Sequence, residues 1–338
     1  MNDDLVYKLM ILRTPGIGPV GYNKLIAQFG GVAAAAAALE NYDVMRDMVL
    51  DEIGRAQKQN IYYISDDMAE YPSGLRKMKN HPPVLSARGN IETLARQAVG
   101  IVGTRHATLA GMNLVADIAD AFAAHGVTVV SGMAMGTDAA AHRGALRAPG
   151  AAQTIAVLAG GVDYIWPLEN ESLYWEIVAR GVVISEMPVG FTPIATNFVQ
   201  RNRLIAGIAE KLIISEADMK SGSMKTARFA IDANREIWAI PSHPSDARAT
   251  GPNSLIQTGA AKLCNGVSDF FKPEKNNAQN EKNNDSENPL LDALGTIPVS
   301  ESVLADIVKK SVSEIKRDLV VMELQGLVRK VDGGYVRA

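Results

Sequence analysis

VGIVGTRHATLAGMNLVADIADAFAAHGVTVVSGMAMGTDAAAH, residues 99–142, is the stretch whose reading decides the fold. An apolar run at 99–102 meets Gly103-Thr104-Arg105, after which Leu109, Met112, Val115, Ile118, Ala119 and Phe122 recur at helical spacing. A second β-branched run at 127–130 ends in another glycine-rich turn, 131–137. Strand, helix and strand in this order make a βαβ crossover. Both turns fall at the carboxyl ends of strands, where open parallel sheets bind ligands.

Downstream the cycle repeats. Strand-like runs begin at 154 (TIAVL), 182 (VVIS), 211 (KLIIS), 236 (EIWAI) and 262, mostly about 25 to 29 residues apart, the spacing a βαβ unit requires. The middle of the chain is therefore predicted to be one doubly wound parallel sheet in an α/β domain over 61–271. Within it, 61–90 reads as a connector with short strands near 61–65 and 84–88, kept out of the central sheet by Pro72, Pro82 and Pro83.

Residues 1–60 read as a helical domain. Leu5, Leu9, Met10 and Leu12 open one helix, and the turn Pro15-Gly16-Ile17-Gly18-Pro19 separates it from another at about 22–29. Two glycines between short helices resemble a helix-hairpin-helix, whose N–H groups can hold a DNA phosphate; a plain inter-helix turn fits the same residues. At the other end, 272–289 (KPEKNNAQNEKNNDSENP) loses all apolar periodicity and reads as a solvated linker. Beyond it, 290–338 gives three helices and two strand-like runs joined through Asp332-Gly333-Gly334, the order of a winged helix. Its presumed recognition helix mixes Lys316 and Arg317 with Glu314, Asp318 and Glu323, which suits DNA and protein contact alike.

The 338 residues are 47% hydrophobic with a formal net charge of −3 and one cysteine, Cys264. This suits a globular protein without a disulfide framework in a reducing compartment. The first 30 residues carry Asp3, Asp4, Lys8 and Arg13 and lack a signal-peptide pattern, and no apolar run is long enough to span a bilayer, so a cytoplasmic location is expected. Global charge does not announce a nucleic acid. A polyanion site must be built locally from cations and backbone N–H groups.

The loops supply such a site. Gly103 permits close backbone approach and Arg105 offers a five-donor fork for phosphate or for stacking. Ser131-Gly132 opens the second turn, beyond which Asp138 and His142 stand one helical turn apart, fit for a cap with a packed histidine behind it. Arg201-Asn202-Arg203 near a helix start joins mobile cations to the positive helix end. Lys220-Ser221-Gly222-Ser223, with Lys225, passes from a strand end into a helix and forms a second cradle of N–H and hydroxyl donors.

These residues, in this order, resemble the DNA-processing protein A (DprA/Smf) family. The likeness runs through GTR (103–105), SGMAMGTDAAAH (131–142), TIAVLAGGVDYIWPLEN (154–170), GVVISEMPVG (181–190), RNRLIAG (201–207), EADMKSGSMKTA (216–227) and GPNSLIQTGA (251–260), over roughly residues 70–265. Thr137 stands where the family commonly has an aliphatic residue, and Val199-Gln200 where a proline-containing run is commoner. The resemblance implies a Rossmann-like sheet with a helical N-terminal domain and a C-terminal winged helix. It also implies a non-catalytic protein, without metal or cofactor, that binds single-stranded DNA, loads the RecA recombinase onto it in natural transformation, and forms a homodimer. The matching DNA-groove positions are Arg105, Ser131, Gly132, Arg201, Asn202, Arg203, Lys220, Ser221, Gly222 and Ser223.

Two enzymatic readings compete. A nicotinamide dehydrogenase needs G-x-G-x-x-G after the first strand and an acid at the end of the second; here stand Gly103-Thr104-Arg105 and Ser131. A nucleotide hydrolase resembling the lysine-decarboxylase-like (LOG) family needs a catalytic glutamate soon after its glycine-rich turn. Here Ser221-Gly222-Ser223-Met224-Lys225-Thr226 is followed by Arg228 as the next polar position.

Overall fold

The computed structural model describes residues 3–149, 154–271, 288–295 and 298–337. Most of the linker expected at 272–289 lies outside them. Four helices come first: α1 (Asp3–Arg13), α2 (Pro19–Phe29), α3 (Val32–Ala37) and α4 (Tyr42–Lys58). Then follow β1 (Ile61–Ser65), α5 (Ser73–Arg76), β2 (Val84–Gly89), β3 (Ala98–Val102), α6 (Leu109–Ala124), β4 (Thr128–Ser131), α7 (Thr137–Arg147) and β5 (Thr154–Val157). The cycle continues through α8 (Glu171–Arg180), β6 (Val182–Ser185), α9 (Ala195–Ile208), β7 (Lys211–Ile214), α10 (Gly222–Asp232), β8 (Glu236–Ala239), α11 (Thr250–Gln257) and β9 (Lys262–Leu263).

Among the described residues β1–β9 form one sheet in the order β1-β2-β6-β5-β4-β3-β7-β8-β9, parallel from β6 to β9. β2 joins it antiparallel to β6, and β1 pairs antiparallel with β2 at the edge, so the proline-bearing connector is an edge extension. The order reverses at β3. The chain leaves β3 toward β4 on one side, and α9 later returns it to β7 on the other, which opens a crevice at the carboxyl ends of β3 and β7.

The strands read as continuous apolar runs because both sheet faces are covered. In β3 the alternation is explicit: Val99 and Ile101 pack with Val115, Ile118 and Phe122 of α6, whereas Ala98 and Val102 pack with Leu204 and Ile205 of α9. Cys264 is buried, and burial pushes its thiol up to about 11, so it is an inert core group at neutral pH. No helix of the described residues is long and apolar enough to cross a membrane.

α2 starts three residues earlier than the apolar pattern suggests because Pro19, with its fixed φ, occupies the first helical turn. Two ionic clusters fasten the N-terminal helices to β1. Arg13 grips Glu52 through two bonds of 2.8 Å, and the Tyr63 hydroxyl donates to the same carboxylate at 2.7 Å. Lys8 bridges Asp66 and Asp67 at 2.6 and 2.9 Å.

Burial alone would raise Glu52 and Asp66. Arg13 and Tyr63 outweigh it at Glu52, as His81 and Lys8 do at Asp66, so both carboxyls stay below the ordinary range. Bonds from Ser65 and Lys8 hold Asp67 down to about 2. Depressed carboxylates stabilise fully above their unfolded pKa of about 4 and lose that contribution as pH falls through the lower folded values. Calorimetry should therefore show Tm dropping between about pH 4 and about pH 2. A Lys8→Met variant, less stable at pH 7, should show a shallower drop; equal slopes would refute the linkage.

The C-terminal unit, with its own apolar core, holds α12 (Pro289–Asp292), α13 (Glu301–Val308), α14 (Val312–Leu324), β10 (Val328–Val331) and β11 (Gly334–Arg337). It is a winged helix, with β10 and β11 paired antiparallel around Asp332-Gly333. α12 is a single turn. On α14, Lys316 pairs with Glu301, while Val320, Val321 and Leu324 stand exposed.

Candidate nucleic-acid interface

The crevice at the end of β3 and β7 is a groove of about 490 Å³. Its walls are the Gly103–His106 turn, Trp166, the first turns of α9, and Lys220–Ser223 with Lys225 at the start of α10. Four cations, Arg105, Arg201, Lys220 and Lys225, face it against one buried carboxyl, Asp138.

Arg105 is exposed at the mouth, its guanidinium 5.0 Å above the Trp166 ring and 5.7 Å above Phe198. The two rings meet edge to face at 4.5 Å. A guanidinium lying on aromatic faces is held flat while its outer donors remain free, so it can meet a phosphate as the rings meet a base. Neither ring figured in the sequence expectation. They are isolated aromatics on separate loops, and only the fold places them beside Arg105.

The opposite bank is the start of α10. Ser221 occupies the N-cap position, yet its hydroxyl makes no capping bond and finds no partner among the described residues, although the atom is buried. The first N–H groups of α10 are thus left to an incoming acceptor, the arrangement by which helix starts bind anions. A Cβ on exposed Gly222 would meet only Asn202 Nδ2, at 3.8 Å, so a backbone can approach closely there. Lys220 stands exposed beside it. Ser223 is turned inward and donates from Oγ to the Gly103 carbonyl at 2.6 Å, locking the two banks together.

Of the residues expected in the groove, Ser131 and Gly132 lie behind it, and Arg201 lines it as a nearly buried brace. Ser131 is fully buried and donates to the Ile101 carbonyl at 2.6 Å, so its side chain fixes the end of β4 rather than touching a ligand. Gly132 is buried too. A Cβ there would fall 2.6 Å from Arg201 Nη2 and 2.7 Å from Asp138 Oδ2. Arg201, only 6% exposed, donates from Nη1 to the carbonyls of Gly132 (2.6 Å) and Val157, and from Nε to Asn202 Oδ1 (3.0 Å).

Burial, opposed by Asp138 and aided by nearby Arg105, lowers Arg201 to about 10; it remains a cation at neutral pH. Burial also raises Asp138, against the pull of Arg201. Asp138 does not cap α7; its carboxylate accepts the Ala134 N–H at 3.3 Å and braces the loop. His142 instead bonds Thr154 at 2.7 Å, and burial lowers it to about 3, leaving it neutral.

Arg203 does not share the groove. Residues two apart on a helix point to opposite sides, so the expected pair of mobile cations divides. Arg203 pairs with Glu186, the side chains 15% and 11% exposed, and donates to the Asn80 carbonyl at 3.2 Å. Asn202, between the two arginines, faces the groove and donates to the Gly222 carbonyl at 3.3 Å, tying α9 to α10.

Residues 62–274 match the model of the family described as DNA recombination-mediator protein A; 2–46 match a DprA-like N-terminal HHH domain, and 273–334 a DprA winged helix domain. The chain belongs to the DNA recombination-mediator protein A family. Within that family, it is 33% identical to Protein Smf of Synechocystis over 88% of this chain and 74% of that protein. It is 35% identical to the DNA processing protein DprA of Bacillus subtilis, covering 65% of this chain and 74% of the relative. Among solved structures, DprA of Streptococcus pneumoniae superposes with a TM-score of 0.65 at 30% identity, covering 80% of this chain and 96% of that one. DNA processing protein A of Helicobacter pylori, whose structure is described for its single-stranded DNA binding mode, gives 0.57 at 30% identity over 62% and 93%.

Proposed function

We propose that this protein is a non-catalytic, cytoplasmic single-stranded DNA-binding protein. It holds the strand in the groove between Arg105 and the start of α10 and, as a homodimer, loads RecA recombinase onto it in natural transformation. Family membership supports the DNA-processing role, with RecA and the homodimer as its expected partners. One observation carries the DNA reading: Arg105 lies on the half-buried Trp166–Phe198 pair across a groove from an uncapped helix start with Lys220 beside it. Phosphates can sit on the helix start and cations while bases stack on the rings, a division that tolerates any sequence.

The groove's one carboxyl, Asp138, is spent on the Ala134 N–H and faces the Arg201 charge, so it is poorly placed to protonate a leaving base. Arg105→Ala, exposed and outside the core, is expected to keep its fold. It should weaken single-strand binding about tenfold and flatten the salt slope by about 0.7 for the lost phosphate contact. Anisotropy across a salt series with single- and double-stranded oligonucleotides, with nucleotide hydrolysis assayed on the same sample, tests this. Unchanged affinity, or hydrolysis that follows the same residues, would overturn it.

A further inference from the structure

A second cavity, of about 890 Å³, lies between the turn joining α1 to α2 and the sheet domain. Residues 17–20 form one wall, and Lys77, Met78, Lys79, Met187 and Phe229 lie among the others. α2 begins at this wall with Gly18 as N-cap and no side-chain cap, so the N–H groups of its first turn have no side-chain acceptor. Lys77 and Lys79 are exposed and have no ion-pair partner among the described residues. Arg235 also lines the cavity. Its Nη2 donates to the Gly74 and Gly207 carbonyls at 2.9 and 2.8 Å, whereas its Nε is buried without a partner among the described residues. The wall thus combines phosphate donors with the apolar surfaces of Phe229, Met78 and Met187. That pairing suits a nucleoside phosphate better than a bare anion or an apolar ligand.

The cavity and the proposed groove share no lining residue, and α9 stands between them. Phe198, Val199 and Asn202 line the groove, while Asn197, Gln200 and Arg203 line the second cavity, so the two sites occupy opposite flanks of one helix about 10 Å across. Resting on the single-strand reading above, we infer that this cavity is a second nucleotide subsite. A DNA strand leaving the groove crosses α9, and its next phosphates reach Lys77, Lys79 and the start of α2. The helical N-terminal domain is then part of the DNA surface, and Arg203, absent from the groove, flanks the strand's exit.

The test uses the full chain, with oligothymidylates of about five nucleotides, near the lower limit of a single-strand site, and of about twenty. Lys77→Gln with Lys79→Gln should leave binding of the short strand within about twofold. It should weaken the long strand about tenfold and flatten its salt slope by about 1.4, two contacts at about 0.7 each. Val20→Glu, at a half-exposed position in the first turn of α2, places a carboxylate where helix polarity favours it. It should raise Tm slightly yet weaken the long strand in the same way, which separates lost binding from lost fold. Long-strand affinity unchanged in both variants would overturn the subsite. So would equal losses for both lengths. The groove reading fails separately, if Arg105→Ala leaves the short strand bound as before.

Discussion

Arg201→Ala is expected to lower the unfolding free energy by about 3–5 kcal/mol, the range for removing one partner from a buried charge arrangement. The guanidinium holds the carbonyls of Gly132 and Val157 and answers the Asp138 charge, all in a region the side chain itself closes to water. Its loss leaves two buried carbonyls without their donor, each costing about 1–3 kcal/mol, and Asp138 without the facing charge. Urea unfolding without DNA measures the effect, read as a lower midpoint at constant m. A midpoint equal to the parent's would show that Arg201 is not a brace. The consequence for binding studies is direct: a weakened Arg201 variant reports a loosened Gly132 loop, whereas a weakened Arg105 variant reports a lost contact.

Trp166→Ala with Phe198→Ala should cost about 1–3 kcal/mol of single-strand binding for each base that stacks on the rings. Both side chains are half-buried and belong to no core cluster, so the fold should persist. The salt slope should stay near the parent's, because phosphates set it and no cation is removed. That pattern is the converse of Arg105→Ala, where the slope flattens. Affinity that survives loss of both rings would show that they merely support Arg105.

Much of the fold was legible in residues 99–142 and the cycle of apolar runs after it, because a strand covered on both faces must be apolar throughout, and the crossover must be long enough to carry a helix. The Gly103–Arg105 turn and the Lys220–Ser223 cradle were legible for the same reason: strand ends at a reversal of sheet order face a common crevice. Helix direction was harder. The motif Arg201-Asn202-Arg203 shows three polar residues in a row, and the rotation of α9 sends the first under the sheet loops, the second to the groove and the third to the other cavity.

By itself the sequence determined the doubly wound sheet, the helical and winged-helix flanks and the identity of the cationic loops, since these follow from periodicity and local turn chemistry. The tertiary structure alone decided which polar side chains meet solvent. Ser131 and Arg201 went inward because their hydrogen-bond partners lie on neighbouring strands and loops. Trp166 and Phe198 came to Arg105 because the sheet order brings their distant loops to one end. Burial is a property of the assembled chain, and no local pattern encodes it for an isolated arginine or tryptophan.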